Sequence, residues 1–156
     1  MKNLERLFAE KLLKIKAIKL QPANPFTWAS GWKSPFYCDN RKTIGHYPVR
    51  KNIANGMVAL IKESFPEAEL IGGTATAGIP HSTSVADALE LPLVYFRSKP
   101  KEHGTKSQIE GEIAKNQRVV VVEDLISTGQ SSLSATTALH QAGAIVLGMV
   151  AIFSYN

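Results

Sequence analysis

Hydrophobic residues follow two patterns along this chain, continuous runs and helical repeats, and the two patterns alternate. The most solid run is the four valines of residues 119–122, which predicts a strand buried on both faces. Further strands are predicted at 69–72, 93–96 and 144–153. Apolar residues at helical spacing predict helices at 3–18, 47–65, 79–89 and from near 131 to 142. This order predicts an α/β fold, a twisted parallel sheet with right-handed crossovers that is flanked by helices.

Residues 22–41 break this alternation, because they are rich in Pro, Gly and aromatic residues. Polar and apolar residues alternate on either side of Ser30-Gly31, which predicts a short hairpin or irregular lobe. Its aromatic residues have two interpretations, a small packed layer or a lid over the pocket of a flat heterocycle. Lys33 lies nearby for a carboxylate, and Cys38 is interpreted as a packing residue. We expect one domain, 1–156, with this hood lobe over about 20–42.

Two carboxylates, Glu123 and Asp124, follow the valine run at the carboxyl end of its strand, where open α/β sheets bind ligands. The helix that begins near Ser131 has free amide hydrogens at its start, which suit a monophosphate. Carboxylates would repel that phosphate, so they suit sugar hydroxyls or a divalent metal. A phosphorylated sugar would suit both features, since its phosphate can bind the helix start and its hydroxyls can bind the two carboxylates. The alternative interpretation is that these residues bind no ligand and form only an ordinary buried strand followed by a capped helix.

Two other segments lead to the same predicted sheet edge. GGTATAGIP, residues 72–80, is a second glycine-containing loop between a strand and a helix. Residues 97–112 form a long loop that carries Arg97, Lys99, Lys101, His103 and Lys106. A run of charged residues often only faces solvent, which is the first interpretation. Long loops without secondary structure, however, tend to be functional lids or disordered. The second interpretation is a mobile cationic arm that closes over a diphosphate.

Composition narrows the function classes further. The chain has 156 residues, a net charge of +5 and one cysteine. A single cysteine cannot form an internal disulfide, which favours the reducing cytoplasm. The sequence contains no apolar run of membrane-spanning length and no secretory hydrophobic region, so we expect no membrane partner. No nucleic-acid module is recognised, and the positive charge suits a polyanionic small molecule equally well.

The segment VVVVEDLISTGQS, residues 119–131, resembles the donor-binding signature of the type I phosphoribosyltransferase family. Three further segments, FTWASGWKSPFYCDNR, TATAGIP and YFRSKPKEHGTKSQIEG, are similar to the members of that family that use orotate. The resemblance implies Mg²⁺-dependent transfer of the phosphoribosyl group from 5-phosphoribosyl diphosphate (PRPP) to orotate. It also implies a cytoplasmic homodimer with shared active sites, in which the arm of one subunit reaches its partner. Members are typically longer, so the carboxyl end is expected to be short for the family.

The resemblance also implies roles for individual residues. Arg97, Lys101 and His103 would meet the diphosphate, with Lys101 catalytic. Glu123 and Asp124 would hold the ribose and share the catalytic role. The phosphoribosyl part would be bound by the whole segment, Glu123, Asp124, Leu125, Ile126, Ser127, Thr128, Gly129, Gln130 and Ser131. Orotate would be contacted by Ser127, Lys33 and Tyr37. No residue is expected to bind the metal directly, since PRPP would hold Mg²⁺.

Two alternatives remain at this point. The chain could be a transferase for another base, or a PRPP-sensing regulator on the same fold that binds RNA. The cationic arm favours an enzyme, since a regulator has no need of residues that act on a leaving diphosphate. A panel of bases and a salt-dependent RNA affinity would discriminate between them.

Overall fold

The structure is a computed structural model that describes residues 2–27, 31, 33–97 and 108–155. The chain divides into two compact units, Met1–Arg50 and Lys51–Asn156. Each unit is described by itself below. The interpretation of the chain as one domain with a hood lobe stays a prediction.

The first unit begins with the helix α1 (Lys2–Lys14), which ends earlier than the predicted position 18. Lys16 adopts a φ of 54°, and the Ala17 amide donates to the Leu12 carbonyl oxygen, 2.9 Å away. The chain then turns into the strand β1 (Ile18–Leu20), which a helix over these residues would have excluded. The predicted helix is therefore wrong over its last turn, because a left-handed residue ends it.

The lobe consists of short strands. The strands β2 (Phe26–Thr27) and β3 (Lys33–Ser34) pair antiparallel, as the predicted hairpin requires. The strand β4 (Phe36–Cys38) pairs antiparallel with β1, and the 3₁₀ helix Asn40–Gly45 follows it. The Cys38 thiol is buried and donates to the Asn40 side-chain oxygen at 3.1 Å, which agrees with its interpretation as a packing residue.

The second unit contains the main sheet. After the helix α2 (Tyr47–Ser64) come the strand β5 (Leu70–Thr74), the helix α3 (Gly78–Leu89), and the strands β6 (Leu93–Phe96), β7 (Ile109–Glu110) and β8 (Arg118–Ile126). The helix α4 (Gln130–Gln141) and the strand β9 (Ile145–Ser154) complete it. The strand order is β7-β6-β5-β8-β9, and only the β6–β7 pair is antiparallel. The predicted α/β fold is confirmed, and its sheet is parallel except for β7, which lies in a segment predicted to be a loop.

The valine run forms the centre of this sheet. Val119, Val120, Val121 and Val122 are each 0% exposed, since β8 lies between β5 and β9 with α3 packed against it. Val119 and Val121 share a core cluster with Ala135 and Leu139 of α4. Burying a valine side chain contributes roughly 1.5 to 3 kcal/mol, so this strand anchors the unit. Both faces are covered, which is why the strand is apolar without alternation.

Two strands are longer at their carboxyl ends than predicted. β5 ends at Thr74 rather than at Gly72, and β8 continues past the valines to Ile126. The reason for the second extension is β9, which pairs with β8 as far as Ile126 beside Ser154, with a register shift between Val119 and Val120. Glu123 and Asp124 therefore lie near the carboxyl end of the strand, as predicted.

Candidate active site

The site lies where β5, β6 and β8 end together. The parallel register places Gly73 beside Val122, so Thr74 and Glu123 are the next residues along two adjacent strands. The loop 75–77 leads from Thr74 to α3, and its Ala75–Thr76 peptide bond is cis. A Cβ atom at Gly78 would lie 2.6 Å from the Thr74 hydroxyl oxygen and 2.9 Å from the Val122 carbonyl oxygen. Only glycine lets the start of α3 approach β8 this closely.

The carboxyl group of Glu123 is buried at this edge, with the residue 5% exposed. Its Oε1 accepts a hydrogen bond from the Asp124 amide at 3.0 Å, and its Oε2 accepts one from the Ser131 hydroxyl at 3.4 Å. Burial raises the pKa of Glu123 to about 7, a hydrogen bond from Thr74 acts to lower it, and the side chain of Asp124 acts to raise it. The group therefore changes charge near neutral pH.

Asp124 is half-buried and follows Glu123 on β8. The two carboxyl groups interact, because a side-chain hydrogen bond and the charge of Asp124 both act to raise the pKa of Glu123. Leu125 and Ile126 continue the strand, half-buried, beside Phe153 and Ser154 of β9. The structure thus brings both predicted acids to the same sheet edge, where Glu123 is buried and Asp124 is half-buried.

The loop after β8 has the form expected of an anion cradle. Ser127 and Thr128 are exposed, and Gly129 has a φ of 74° as the residue that caps α4. A Cβ at Gly129 would meet no atom within 4 Å, so the glycine is needed for its backbone angle and not for space. The Leu133 amide donates to the Gly129 carbonyl oxygen at 2.9 Å, which leaves the amides of Gln130 to Ser132 without an intrahelical acceptor. These donors and the helix dipole favour an anion.

A cavity of about 300 Å³ opens beside this cradle, between the ends of β5 and β6 and one face of α4. Its lining includes three residues predicted for PRPP, namely Arg97, Gln130 and Ser131. The rest of the lining was not predicted: Thr74, Ala75, Phe96, Gln108, Ser134, Ala135 and Ala138. The cavity is continuous with the helix start, so one ligand can occupy both.

Arg97 stands at the base of the predicted arm. Its guanidinium nitrogen lies 3.3 Å from a carboxylate oxygen of Glu110, and its carbonyl oxygen accepts a hydrogen bond from the Gln108 side chain at 3.4 Å. These contacts join β6 to β7, and both Arg97 and Gln108 line the cavity. Lys101 and His103 lie in the segment 98–107, outside the described residues.

The residues predicted for orotate are divided between the units. Ser127 lies in the loop before α4, within the second unit. Lys33 is exposed on β3 in the first unit, and Tyr37 on β4 accepts a hydrogen bond from the Arg41 guanidinium at 3.3 Å. The Tyr37 ring also contacts that of Phe26, with centroids 5.6 Å apart. The roles of these three residues stay predictions.

Thr74 is the functional candidate that sequence reasoning missed. The sequence feature that could have identified Thr74 is its position at the end of a strand that precedes a glycine-containing loop. What the sequence could not supply was the register that sets it beside Glu123, because that register links residues 49 positions apart, such as Gly73 and Val122.

The side chains at this sheet edge offer Mg²⁺ the carboxylates of Glu123 and Asp124. Among the described residues, no three or more His, Cys, Asp or Glu side chains lie together as a metal cluster. The adjacent pair Glu123 and Asp124 fits the way Mg²⁺ is commonly bound, through one or two carboxylates together with substrate phosphates. In the part of the chain that is described, no helix has the length and apolar character needed to cross a membrane.

Comparisons with known proteins agree on one family. A family model described as a phosphoribosyl transferase domain matches residues 44–156. An orotate phosphoribosyltransferase of Bacteroides thetaiotaomicron is 62% identical over 156 residues, which cover 100% of this chain and 74% of that protein. One from Listeria innocua is 60% identical over 154 residues, 99% of this chain and 74% of that protein. The crystal structure of orotate phosphoribosyltransferase from Aeropyrum pernix matches with a TM-score of 0.81 at 27% identity, and covers 95% of this chain and 93% of its own.

Proposed function

We propose, since this chain belongs to the orotate phosphoribosyltransferase family, that it transfers the 5-phosphoribosyl group of PRPP to orotate. The products are orotidine 5′-monophosphate and diphosphate, and the reaction is a pentosyl transfer in pyrimidine biosynthesis. The observation that carries the proposal is the 62% identity to an enzyme of this name over the whole chain. The cradle, the two carboxylates and the cavity supply the chemistry this reaction needs.

The start of α4 would bind the 5′-phosphate. Its free amides and the hydroxyls of Ser127 and Thr128 can each donate to the phosphate oxygens, and the Ser131 hydroxyl can do so when it turns from Glu123. Hydrogen bonds to charged groups contribute roughly 1.5 to 3 kcal/mol each, so three or four would hold a dianion firmly. Gly129 lets the backbone curve around the phosphate, and Gln130 lines the adjoining cavity.

Glu123 and Asp124 would bind the ribose hydroxyls and fix the sugar ring. Each carboxylate accepts hydrogen bonds, and a ribose hydroxyl donates them. Leu125 and Ile126 connect these acids to the cradle through a strand paired with β9, so the distance between phosphate and ribose subsites is rigidly set. The positive charge that develops on the ring in the transition state is stabilised by the same carboxylates.

The diphosphate would lie in the cavity, where Arg97 stands. In the reaction the bond from the anomeric carbon to the diphosphate oxygen breaks, with its electron pair leaving on the diphosphate. A bond from that carbon to an orotate ring nitrogen forms, and the proton of that nitrogen is lost to the departing diphosphate or to water. Arg97, Lys101 and His103 would neutralise the departing charge, and Mg²⁺ held mainly by PRPP would supply further neutralisation. A closed arm would also keep water from the reacting carbon.

Orotate would be bound by Ser127, Lys33 and Tyr37, with Lys33 for its carboxylate and the Tyr37 ring against its flat face. We further propose a cytoplasmic homodimer in which each arm reaches the partner's site. Analytical ultracentrifugation tests the dimer. Mixing an inactive Lys101→Ala subunit with a subunit inactivated at the cradle tests the shared site, because mixed dimers would regain activity in one of their two sites.

The experiment that tests the transfer itself mixes the protein with orotate, PRPP and magnesium and follows the ultraviolet absorption of orotate. Absorption should fall with protein concentration and should stay constant when PRPP is omitted. A folded protein that consumes no orotate would refute the proposal. Adenine, guanine, hypoxanthine and uracil in place of orotate identify a transferase for another base. Titration with labelled RNA at several salt concentrations identifies the regulator instead.

A further inference from the structure

Glu110 of β7 is an acid beside the proposed diphosphate pocket that none of the binding roles above uses. Its carboxylate oxygen Oε1 lies 3.3 Å from Nη1 of Arg97, the residue predicted to meet the diphosphate. The Glu110 side chain is 25% exposed and that of Arg97 is 44% exposed, so water and salt partly screen the pair. A carboxylate in this place needs a reason, because its charge opposes the anion that Arg97 would bind.

The strand pairing holds Glu110 next to Arg97. The antiparallel pair of β6 and β7 sets Gln108 opposite Arg97 and Glu110 two residues further along, at a diagonal position that long side chains can span. The Arg97 amide donates to the Gln108 carbonyl oxygen at 2.8 Å. After Glu110, Gly111 has a φ of 105°, and a Cβ there would lie 2.9 Å from a side-chain carbon of Val94. The backbone on both sides of Glu110 is therefore fixed against β6.

The contact with Glu110 uses only part of the Arg97 guanidinium. This group carries five N–H donors, and the Glu110 carboxylate lies close to one nitrogen, Nη1. Arg97 also lines the cavity proposed for the diphosphate, together with Gln108. A diphosphate offers arginine more charge and more acceptor oxygens than one carboxylate does, and arginine binds phosphate groups strongly. Arg97 can therefore exchange between two anions, one that belongs to the protein and one that belongs to the ligand.

We infer that Glu110 is a positioning residue that acts on the diphosphate through Arg97. It is the counter-ion that Arg97 holds before the diphosphate binds and takes back when the diphosphate leaves. The inference rests on the proposed function, because it takes the cavity to be the diphosphate subsite. Its consequence is weaker binding and easier release of the diphosphate, since the ligand must compete with the ion pair. No contact between Glu110 and the reacting atoms is required.

A purely structural role for Glu110 makes the opposite prediction. In that case the ion pair would only help to join β7 to β6, and the backbone hydrogen bonds of the two strands would do the same without it. An ion pair exposed to this degree contributes little to stability. Loss of the Glu110 charge would then leave the affinity for diphosphate unchanged, or lower it through a less ordered Arg97. The exchange predicts that the affinity rises, so the sign of the change discriminates between the two roles.

The test is isothermal titration calorimetry of inorganic diphosphate with magnesium into the full chain and its variants. Glu110→Gln keeps the size of the side chain and an acceptor oxygen but removes the charge. The dissociation constant of diphosphate should fall by about two- to five-fold, the range set by an ion pair exposed to this degree. Glu112→Gln is the matched control, because it removes an exposed acid two residues away, and it should leave this constant nearly unchanged.

A double-mutant cycle shows whether the effect acts through Arg97. In an Arg97→Gln background, Glu110→Gln should tighten diphosphate binding far less, because no guanidinium remains to exchange. The gain in affinity should also shrink as ionic strength is raised from about 0.05 M to about 0.5 M, since salt screens an exposed pair. Unchanged or weaker binding in Glu110→Gln would overturn the inference. An equal gain in both backgrounds would overturn it too, as would a parent protein that binds no diphosphate.

Turnover separates this inference from the proposed function. Added diphosphate should inhibit the consumption of orotate by Glu110→Gln more strongly than that by the parent, by the same factor as in calorimetry. A protein that consumes no orotate but shows the calorimetric pattern refutes the proposed function and keeps the exchange at Arg97. A protein that consumes orotate but gains no affinity for diphosphate in Glu110→Gln refutes the exchange alone. Circular dichroism of each variant confirms that it is folded.

Discussion

Replacing Glu123 by glutamine should make this protein more stable above neutral pH and less active. In the folded protein burial raises the pKa of Glu123 to about 7, whereas its ordinary value is 4.5. The folded state thus binds more protons than the unfolded state between these two pH values, so stability falls as pH rises through this window. Glutamine is neutral at every pH and has nearly the same shape, so the variant lacks this fall.

The size of this effect on the unfolding free energy follows from the difference between the folded and unfolded pKa values of Glu123. Each unit of pKa difference corresponds to about 1.4 kcal/mol, so the carboxylate costs about 3 kcal/mol of folding free energy once pH exceeds both values. The difference in unfolding free energy between variant and parent should therefore grow by about 3 kcal/mol between about pH 4 and pH 8. Using the change with pH removes any constant effect of the substitution, such as an altered hydrogen bond to Asp124 or Ser131.

Urea unfolding followed by circular dichroism at several pH values measures this difference. The matched control is Glu63→Gln on α2, which removes an exposed carboxylate. Surface substitutions of this kind typically change stability by less than about 0.5 kcal/mol. The reasoning would be contradicted if the difference in unfolding free energy between Glu123→Gln and the parent were the same at every pH. The same variant should lose roughly 10- to 100-fold in kcat/KM for PRPP, since it loses a charged acceptor for the ribose.

Three further changes test other parts of the site. Lys101→Ala should lower turnover by about 10²-fold or more, as removal of a preorganised charge donor to the leaving group does, and a near-normal rate would contradict that role. Asp124→Asn should weaken magnesium-assisted binding of PRPP in titration calorimetry, and an unchanged affinity would remove Asp124 from the ribose subsite. Gly78→Ala should lower the unfolding free energy by about 1 to 3 kcal/mol, because its Cβ would lie 2.6 Å from the Thr74 hydroxyl. Gly45→Ala, where a Cβ meets nothing within 4 Å, is its control in the same denaturant experiment.

The sequence was sufficient for those parts of the fold in which local hydrophobicity decides the outcome. The valine run gave the buried centre of β8 and the sheet type, because a strand covered on both faces must be apolar throughout. The glycine and hydroxyl residues of 127–131 predicted the start of α4 for a similarly local reason. The end of α1 was missed because the left-handed residue after it is Lys16, whereas helix ends of this kind usually carry glycine. β7 was missed because a strand of two residues exists only through its pairing with β6.

The site was predictable in part and for the same reasons. Glu123, Asp124 and the cradle are adjacent in sequence, so a motif contains them. Thr74, Gln108 and Ser134 reach the cavity from separate elements, and no local pattern marks them. The assignment of both acids to one role also came from their adjacency, which does not show that Glu123 is buried and Asp124 only half-buried.

The pairing of β5 with β8 determines when, during folding, the protein becomes able to bind PRPP. Thr74 and Val122 are 48 residues apart in the chain, so the two walls of the donor pocket meet only after a large loop has closed. Contacts of such long range slow folding and form late. Tight capture of PRPP therefore reports completion of the native state, and in a refolding experiment the recovery of ligand binding should trail the recovery of helix content.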